Sequence, residues 1–150
     1  MMIKLNLPVF EFRIKDTGKR KSIFDEIRKK YVALTPEEWV RQNFVKYLIQ
    51  HKNYPTGLIS LEMAISINKN EKRCDIVVFE KTGKPMLLVE CKSPNVEITQ
   101  KSFDQAIVYN MRLNVKYLIL TNGKKHFCWM INSIEKKLDF LDSIPEFEKA

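Results

Sequence analysis

The sequence has few of the residues that build disulfide frameworks, zinc sites or flexible linkers. Cysteine occurs only at Cys74, Cys91 and Cys128, and no two of these residues form a CxxC pair. An odd number of widely spaced cysteines argues against a disulfide framework and a cysteine zinc site, so we expect a reducing, cytoplasmic environment. Glycine is scarce, with 4 residues in 150, and no Gly/Ser-rich linker divides the chain. One domain is therefore expected.

Long hydrophobic runs are also missing. No apolar stretch approaches the roughly 18 residues that suggest a membrane span, and the N-terminus lacks the apolar centre of a signal peptide. Hydrophobic residues make up 45% of the chain and charged residues 29%, which excludes the disordered and fibrous classes. The sequence predicts a globular protein that stays where it is made and does not enter a membrane.

Negative charge is in the minority, because 26 Lys and Arg residues face 18 Asp and Glu residues. The resulting formal charge of +8 attracts polyanions, among which nucleic acid is the commonest soluble one. A basic surface that merely aids solubility is the alternative. Charge by itself leaves both interpretations open.

A helix is predicted where the sequence reads "TPEEWVRQNFVKYLIQHK", from residue 35 to residue 52. Thr35 is a suitable cap, Pro36 suits the first helical position, and Thr35 and Glu38 have capping-box spacing. Helical phase places Glu37 on the apolar side and Glu38 nearer its edge. The other residues on this side are Val40, Arg41, Phe44, Tyr47 and Leu48.

The remaining elements predict a mixed α/β sheet with helices against its faces, because the order is helix, three strands, helix, two strands. The strands read "LISLEMAISI", "CDIVVFE", "PMLLVECK", "KYLILTNG" and "FCWMINS", and the second helix reads "TQKSFDQAIVYNMRL" with Thr99 as its cap. Residues 1–34 are expected to form an N-terminal extension packed on a core of residues 35–150. Within it, "VFEFRI" alternates like a strand, and "SIFDEIRKKYVAL" suggests a short helix or an irregular arm.

Charged residues close the apolar strand "PMLLVECK". Glu90 and Lys92 point to the same side of this strand, and Cys91 points to the other. A hairpin that closes symmetrically around residues 82–83 would place Asp75 directly opposite Glu90. A three-residue loop with a glycine bulge would instead shift this register by one residue.

Two carboxylates that converge across a hairpin form a site for a hard cation, and Mg²⁺ is commonly bound by one or two carboxylates with water and substrate phosphate. Lys92 beside them could orient a water molecule or offset charge on a phosphate. The residues therefore indicate phosphodiester hydrolysis. The alternative is an ordinary salt bridge at the edge of the sheet.

The pattern of Asp75 followed by Glu90-Cys91-Lys92 resembles the PD-(D/E)xK nuclease motif. Gln105 and Tyr109, in "QAIVYN", resemble the QxxxY motif of that superfamily and share one helix face. Cys74 stands where the named motif has proline. The resemblance implies a restriction-endonuclease-like fold with an αβββαβ core and a central mixed sheet flanked by helices.

The segment "LTPEEWVRQ" resembles the first-helix signature of the type I restriction enzyme R-subunit N-terminal family, in which a Glu helps to complete the active site. Glu37 is favoured for this role by its helical phase, with Glu38 as the alternative. The whole resemblance covers about residues 31–131. No GxxxxGK[ST] motif of the translocase motor occurs in the chain, so a stand-alone nuclease domain is expected.

What the resemblance implies is a Mg²⁺-dependent nuclease acting on DNA, either within the strand or from an end, with Mn²⁺ as a substitute ion. Asp75, Glu90 and the Cys91 carbonyl would hold the metal ion, and Lys92 would position water. Gln105 and Tyr109 would maintain the geometry or touch phosphate. Partners would be nucleic acid and either a second copy or a motor or targeting protein. The rival hypothesis is a non-catalytic nucleic-acid-binding module that works with such a partner.

Other residues are assigned structural roles. His51 and His126 have no partner at ligand spacing, so neither is expected to bind a metal ion. Phe127 and Trp129 are interpreted as sheet-packing residues rather than base-stacking platforms. The Lys124-Lys125 pair suits either a phosphate contact or a solvated turn.

Overall fold

The computed structural model describes residues 2–147 and confirms a mixed α/β architecture. Two α-helices and two sheets account for nearly all of the regular structure in these residues, and one 3-10 turn joins α1 to β4. In chain order the elements are β1 (Ile14–Asp16), β2 (Lys21–Asp25), β3 (Lys30–Ala33), α1 (Pro36–Lys52), β4 (Ile59–Ile67), β5 (Asn70–Phe79), β6 (Pro85–Cys91), α2 (Gln100–Leu113), β7 (Tyr117–Thr121), β8 (His126–Asn132) and β9 (Lys137–Leu141).

A six-stranded sheet in the order β4-β5-β6-β7-β8-β9 forms the centre of the molecule. Its neighbouring strands are antiparallel except β6 and β7, which run parallel and are therefore joined by a crossover through α2. The two helices cover opposite faces, since α1 contributes Val40 and Phe44 to one apolar cluster and α2 contributes Ala106 and Tyr109 to another. Burial on both faces explains the apolar sequence of β7 from Leu118 to Leu120, and all five residues of this strand are buried.

Both predicted helices are confirmed, and each begins at a capped residue. Thr35 accepts a hydrogen bond from the Glu38 N–H, and Thr99 and Ser102 form a reciprocal capping box at α2. Each helix ends at an asparagine in the left-handed conformation, Asn53 for α1 and Asn114 for α2. These caps fix the bounds of the helices.

The loop between β5 and β6 differs from the symmetric two-residue turn that the sequence suggested. Residues 81–83 form a three-residue loop closed by the Glu80 N–H and the Lys84 carbonyl, with Gly83 at φ 93°. This loop shifts the register by one residue, but an irregularity between Val78 and Phe79 shifts it back. Ile76 consequently pairs with Val89, as the predicted register requires.

The first 34 residues depart most from expectation. The predicted strand "VFEFRI" is not formed, because β1 starts only at its last residue, and "SIFDEIRKKYVAL" forms most of the β2-β3 hairpin rather than a helix or an irregular arm. This three-stranded sheet packs on α1 through Asp25, whose carboxylate accepts a hydrogen bond from the Gln42 side chain. Strand β9 was also not predicted, although Leu138 and Phe140 alternate with polar residues, and most of its residues are exposed.

None of the helices in residues 2–147 is both long enough and apolar enough to cross a bilayer.

Candidate active site

Strands β5 and β6 separate at one end, and two carboxylic acids line the gap between them. The last paired residues of the hairpin are Ile76 and Val89. Beyond them, Oδ2 of Asp75 accepts a 2.8 Å hydrogen bond from the Cys91 N–H, and the Asp75 N–H approaches Oε1 of Glu90 at 3.4 Å. Each carboxyl group also lies close enough to shift the pKa of the other. The structure therefore brings Asp75 and Glu90 together, as their spacing predicted.

Both acids have pKa values above the ordinary range for carboxyl groups. Burial raises the pKa of Glu90 to about 9, assisted by the neighbouring charge of Asp75, while Lys92 opposes this rise. Burial also raises the pKa of Asp75, although the Cys91 N–H and the Arg41 charge act against it. Glu90 is thus the member of the pair that carries a proton at neutral pH. This protonation removes the repulsion that two adjacent carboxylates would otherwise have.

Lys92 directly follows β6, and a backbone hydrogen bond holds its main chain in place. Its N–H donates a 2.8 Å hydrogen bond to the Thr121 carbonyl, which extends the pairing of β6 with β7 by one residue. The ammonium charge lowers the pKa of both Glu90 and Glu37, so it lies within electrostatic reach of each. An amine is therefore available beside the carboxyl pair.

The two glutamates at the start of α1 occupy different environments, and their order of burial is opposite to that predicted. Glu38 is buried at 6% exposure, whereas Glu37 is exposed. The Glu38 N–H donates to Oγ1 of Thr35 as expected, but the Thr35 N–H donates to the Ala33 carbonyl rather than to Glu38. The capping box of α1 is consequently only half formed.

Glu38 belongs to a buried ionic network. Its carboxylate accepts hydrogen bonds from Arg41 at 2.6 and 2.9 Å, from Arg28 at 3.0 Å and from Gln42 at 3.0 Å. Burial alone would raise the pKa of Glu38, but the hydrogen bonds from Arg41 and Gln42 lower it overall. Glu38 is therefore a permanently charged support for Arg41 and Arg28.

Glu37, by contrast, faces the carboxyl pair. Partial burial and the charge of Asp75 raise its pKa, while Arg41 and Lys92 oppose the shift. Helical phase predicted that Glu37 points to the buried side of α1, but its side chain is exposed and lies within electrostatic reach of Asp75. Of the two glutamates, only Glu37 has a carboxylate that is free of side-chain partners in the hydrogen bonds of residues 2–147.

Arg41 connects α1 to the carboxyl pair. Its Nη1 atom donates to Oδ1 of Asp75 at 2.9 Å and also to Glu62, while its other nitrogens bind Glu38. Glu62 is a member of this cluster that no motif indicated. It lies in β4 between Leu61 and Met63 with a positive φ of 56°, which interrupts the ladder opposite Asp75. A lone acid within the apolar run "LISLEMAISI" was the only signal in the sequence.

Gln105 and Tyr109 approach the site from α2. The Gln105 amide donates a 3.1 Å hydrogen bond to the Tyr109 hydroxyl. Tyr109 is buried, which raises its pKa, and the charge of Glu90 adds to this effect. The structure therefore places this pair on the same side of the sheet as Glu90.

The donor chemistry of the pair suits a hard divalent cation. The carboxyl oxygens of Asp75 and Glu90 are oxygen ligands held at one point, and a bound cation would replace the proton on Glu90. No preformed group of three or more His, Cys, Asp or Glu side chains that could hold a metal ion occurs among residues 2–147. The arrangement thus fits an ion such as Mg²⁺, which needs only one or two carboxylates and completes its shell with water and substrate.

The remaining candidates fall outside this cluster. Cys91 turns its thiol into the apolar cluster below α1, as expected, and all three cysteines are buried and unpaired with each other. His126 binds Thr121 and the Asn6 carbonyl, and His51 packs against aromatic rings. Phe127 and Trp129 lie on β8 and are only partly buried, and the exposed Lys124 and Lys125 occupy the preceding turn.

Residues 36–145 match the family model described as the type I restriction enzyme R protein N terminus. Among solved structures, the chain is similar to a fragment of a candidate HsdR subunit of a type I restriction enzyme from Vibrio vulnificus YJ016, with a TM-score of 0.54 and 19% identity. The match covers 75% of this chain and 24% of that one, so the present chain spans about a quarter of the HsdR chain. The similarity shows a shared fold.

A second solved structure, a candidate nuclease of the DUF820 family from Anabaena variabilis ATCC 29413, matches with a TM-score of 0.47 and 16% identity. That match covers 83% of this chain and 78% of the other. No curated protein sequence matches the chain significantly.

Proposed function

Because the chain belongs to the type I restriction enzyme R protein N-terminus family, we propose that it is a metal-dependent nuclease that hydrolyses phosphodiester bonds in DNA by a PD-(D/E)xK mechanism. The observation that carries this proposal is the meeting of Asp75 and Glu90 at the end of the β5-β6 hairpin, with Lys92 within electrostatic reach of Glu90. Buried acids that lie together are costly to stability, so their presence at one point favours a functional role. A divalent cation with substrate phosphate is the ligand that fits them.

The site residues divide the work of hydrolysis. Asp75, Glu90 and the Cys91 carbonyl would hold Mg²⁺ or Mn²⁺, and Glu90 would release its proton as the ion binds. The ion, when bound, supplies Lewis-acid polarisation of the phosphate and a more acidic water. Lys92 would orient the attacking water by hydrogen bonding and offset the negative charge that develops at phosphorus.

The two helices would contribute further groups to this chemistry. Glu37 on α1, which lies within electrostatic reach of Asp75 and Lys92, would accept a hydrogen bond from a water near the phosphate. On α2, the Gln105 amide and the Tyr109 hydroxyl, which bind each other, could touch substrate phosphate. Arg41 touches Asp75 and Glu62 and therefore positions the metal-binding acid rather than the substrate.

Cleavage assays test this proposal directly. Plasmid and single-stranded DNA would be incubated with the protein in Mg²⁺, Mn²⁺ or EDTA, with Asp75→Asn as the matched inactive variant. We expect cleavage by the wild type in either metal ion and none in EDTA or with Asp75→Asn. Equal cleavage by wild type and Asp75→Asn would identify a contaminating nuclease and contradict the proposal.

A specific observation favours the second candidate, a non-catalytic nucleic-acid-binding module. The acids are already neutralised within the protein, because Arg41 binds Asp75 and Glu90 keeps a proton. In that case a partner protein, such as a motor or targeting subunit, or a second copy would supply the activity. Salt-dependent DNA binding without cleavage in any divalent ion would support this candidate.

A further inference from the structure

An open groove with aromatic walls lies on the α2 side of the sheet. It has a volume of about 280 Å³. The residues that line this aromatic groove are Ile98, Thr99, Gln100, Phe103, Leu120, Phe127 and Trp129. None of them belongs to the motifs that define the candidate active site. The groove is therefore a feature that the proposed hydrolysis does not explain.

The aromatic groove and the carboxyl pair lie in one transverse row of the sheet. Glu90 on β6 pairs with Leu120 on β7, and Leu120 pairs with Phe127 on β8. Directly paired residues point to the same face, and neighbouring strands are about 4.8 Å apart, so Phe127 lies about 10 Å from Glu90 along this face. A strand of nucleic acid with a phosphate at Glu90 could thus place a neighbouring nucleotide in the groove.

The rings in the groove form a platform for a flat ligand. Phe103 meets Trp129 edge to face at a centroid distance of 4.7 Å, and the Phe127 and Trp129 rings are inclined by only 24° at 6.2 Å. All three rings are partly exposed, so their packing within the protein leaves ring surface uncovered. The volume lies at the low end for ligand pockets, which suits one planar ring system better than a peptide segment.

Polar residues form one rim of this platform, and three exposed lysines lie near its lining residues in sequence. Thr99 and Gln100 form one rim at the start of α2, and the Gln100 amide nitrogen already donates a hydrogen bond to Asp104. Lys101 adjoins this rim, and the exposed Lys124 and Lys125 occupy the turn that leads into Phe127. Cations beside aromatic rings are the combination that binds single-stranded nucleic acid, because bases stack while the phosphates pair with lysine.

We propose that the aromatic groove binds a nucleobase of an unpaired strand whose backbone crosses the carboxyl pair, so that the preferred substrate has single-stranded DNA next to the scissile bond. This inference rests on the proposed nuclease function. Stacking on Phe127 and Trp129 would hold the nucleotide, and the nearby lysines would hold its phosphates. A fully paired duplex keeps its bases in the helical stack and therefore gains nothing from the groove.

The test measures binding in EDTA, where hydrolysis is prevented. The probes are an oligothymidylate, an abasic deoxyribose-phosphate strand of equal length, and a duplex of equal length. Phe127→Leu keeps apolar packing but removes the aromatic face, and Phe127→Trp retains that face. Phe10→Leu is the matched control, because Phe10 packs against His51 of α1 and lies outside the groove.

We expect Phe127→Leu to weaken oligothymidylate binding about fivefold or more, the lower limit for loss of one stacked base. Its binding of the abasic strand and the duplex should be unchanged, and Phe127→Trp and Phe10→Leu should bind all three probes like the wild type. Equal loss for the oligothymidylate and the abasic strand, or no loss for either, would overturn the proposal. Absence of oligothymidylate binding by the wild type would also overturn it.

A spectroscopic measurement gives a result that does not depend on the folding of a groove variant. The chain has two tryptophans, so Trp39→Phe leaves Trp129 as the only indole. Oligothymidylate should quench this fluorescence, and the abasic strand should not; equal spectra with both strands would contradict the inference. Base-dependent binding without cleavage in Mg²⁺ would support the groove assignment and contradict the proposed nuclease function. Cleavage in Mg²⁺ with no effect of Phe127→Leu on binding would support the nuclease function and contradict the groove assignment.

Discussion

Arg41 lies 2.9 Å from Oδ1 of Asp75, and the other oxygen of that carboxylate accepts the Cys91 N–H at 2.8 Å. Both oxygens of the proposed metal ligand are therefore held by groups of the protein itself. The same guanidinium binds Glu38 and Glu62. Since one buried arginine joins three acids, the packing of α1 and the geometry of the carboxyl pair depend on each other.

Loss of Arg41 should destabilise the protein strongly. Arg41→Gln leaves Asp75 buried without a cation and Glu38 with Arg28 alone, and breaking a buried ion pair typically costs about 3 to 5 kcal/mol. Arg73→Gln is the matched control, because the Arg73–Glu71 pair is exposed on both sides and should contribute below about 1 kcal/mol. Urea denaturation measures both changes, and equal losses would show that Arg41 is not a structural centre.

The proton on Glu90 should make stability depend on pH in EDTA. The folded-state pKa of about 9 exceeds the ordinary value of 4.5, so between these values the folded protein holds a proton that the unfolded chain has released. This contribution to stability is present below about pH 4.5 and is lost as pH rises towards 9. The melting temperature should therefore fall over this range, and Glu90→Gln should flatten the fall. A wild-type profile identical to that of Glu90→Gln would show that Glu90 is charged throughout.

Substitution of Glu37 should lower activity, whereas substitution of Glu38 should lower stability. Glu38→Gln removes the charge that binds Arg28 and Arg41, so we expect a loss of about 2 kcal/mol or more in the free energy of unfolding. Glu37→Gln breaks no side-chain hydrogen bond within residues 2–147 and should leave the free energy of unfolding within about 0.5 kcal/mol, while lowering the cleavage rate. Urea denaturation and DNA cleavage, measured on the same preparations of both variants, show which glutamate serves stability and which serves activity. Reduced cleavage without destabilisation in Glu38→Gln would assign the catalytic role to Glu38 instead.

Divalent cations should stabilise the folded protein through Asp75. An ion that binds only the folded state raises the melting temperature by mass action, and Mg²⁺ or Mn²⁺ at 100 times its dissociation constant adds about 2.7 kcal/mol. Asp75→Asn should abolish this shift, whereas Asp142→Asn, which alters an exposed acid, should retain it. Thermal melting with and without the ion measures the effect, and a full shift in Asp75→Asn would place the ion elsewhere.

Lys92 should affect turnover more than binding. Lys92→Ala removes the amine but leaves Asp75 and Glu90, so we expect at least about a 100-fold lower single-turnover cleavage rate. The slope of DNA affinity against salt should change by at most about one unit, as for any single lysine. Lys81→Ala, in the exposed loop at the other end of the hairpin, is the control and should cleave normally. Strongly weakened binding with unchanged cleavage per bound molecule would make Lys92 a phosphate clamp.

Local sequence determined the helices and the order of the main strands. Thr35 and Thr99 are caps that act on their own first turns, and alternation of apolar residues defines strands without reference to the rest of the chain. The spacing from Asp75 to Glu90 favoured their meeting across the hairpin, because an antiparallel hairpin leaves few registers, but the irregularity between Val78 and Phe79 was needed to offset the three-residue loop. These features depend on interactions between residues that are near in sequence.

Tertiary packing decided which charged residues are buried and which partners they bind. Glu38 is buried because the N-terminal sheet brings Arg28 and Asp25 over that side of α1, and this contact spans residues far apart in sequence. The place of Glu62 beside Arg41 likewise depends on a contact between β4 and α1, whose two residues are 21 positions apart in sequence. Burial and charge pairing are properties of the folded molecule. The sequence therefore predicted which acids lie in the site, but it did not predict which of them is protonated or which arginine binds them.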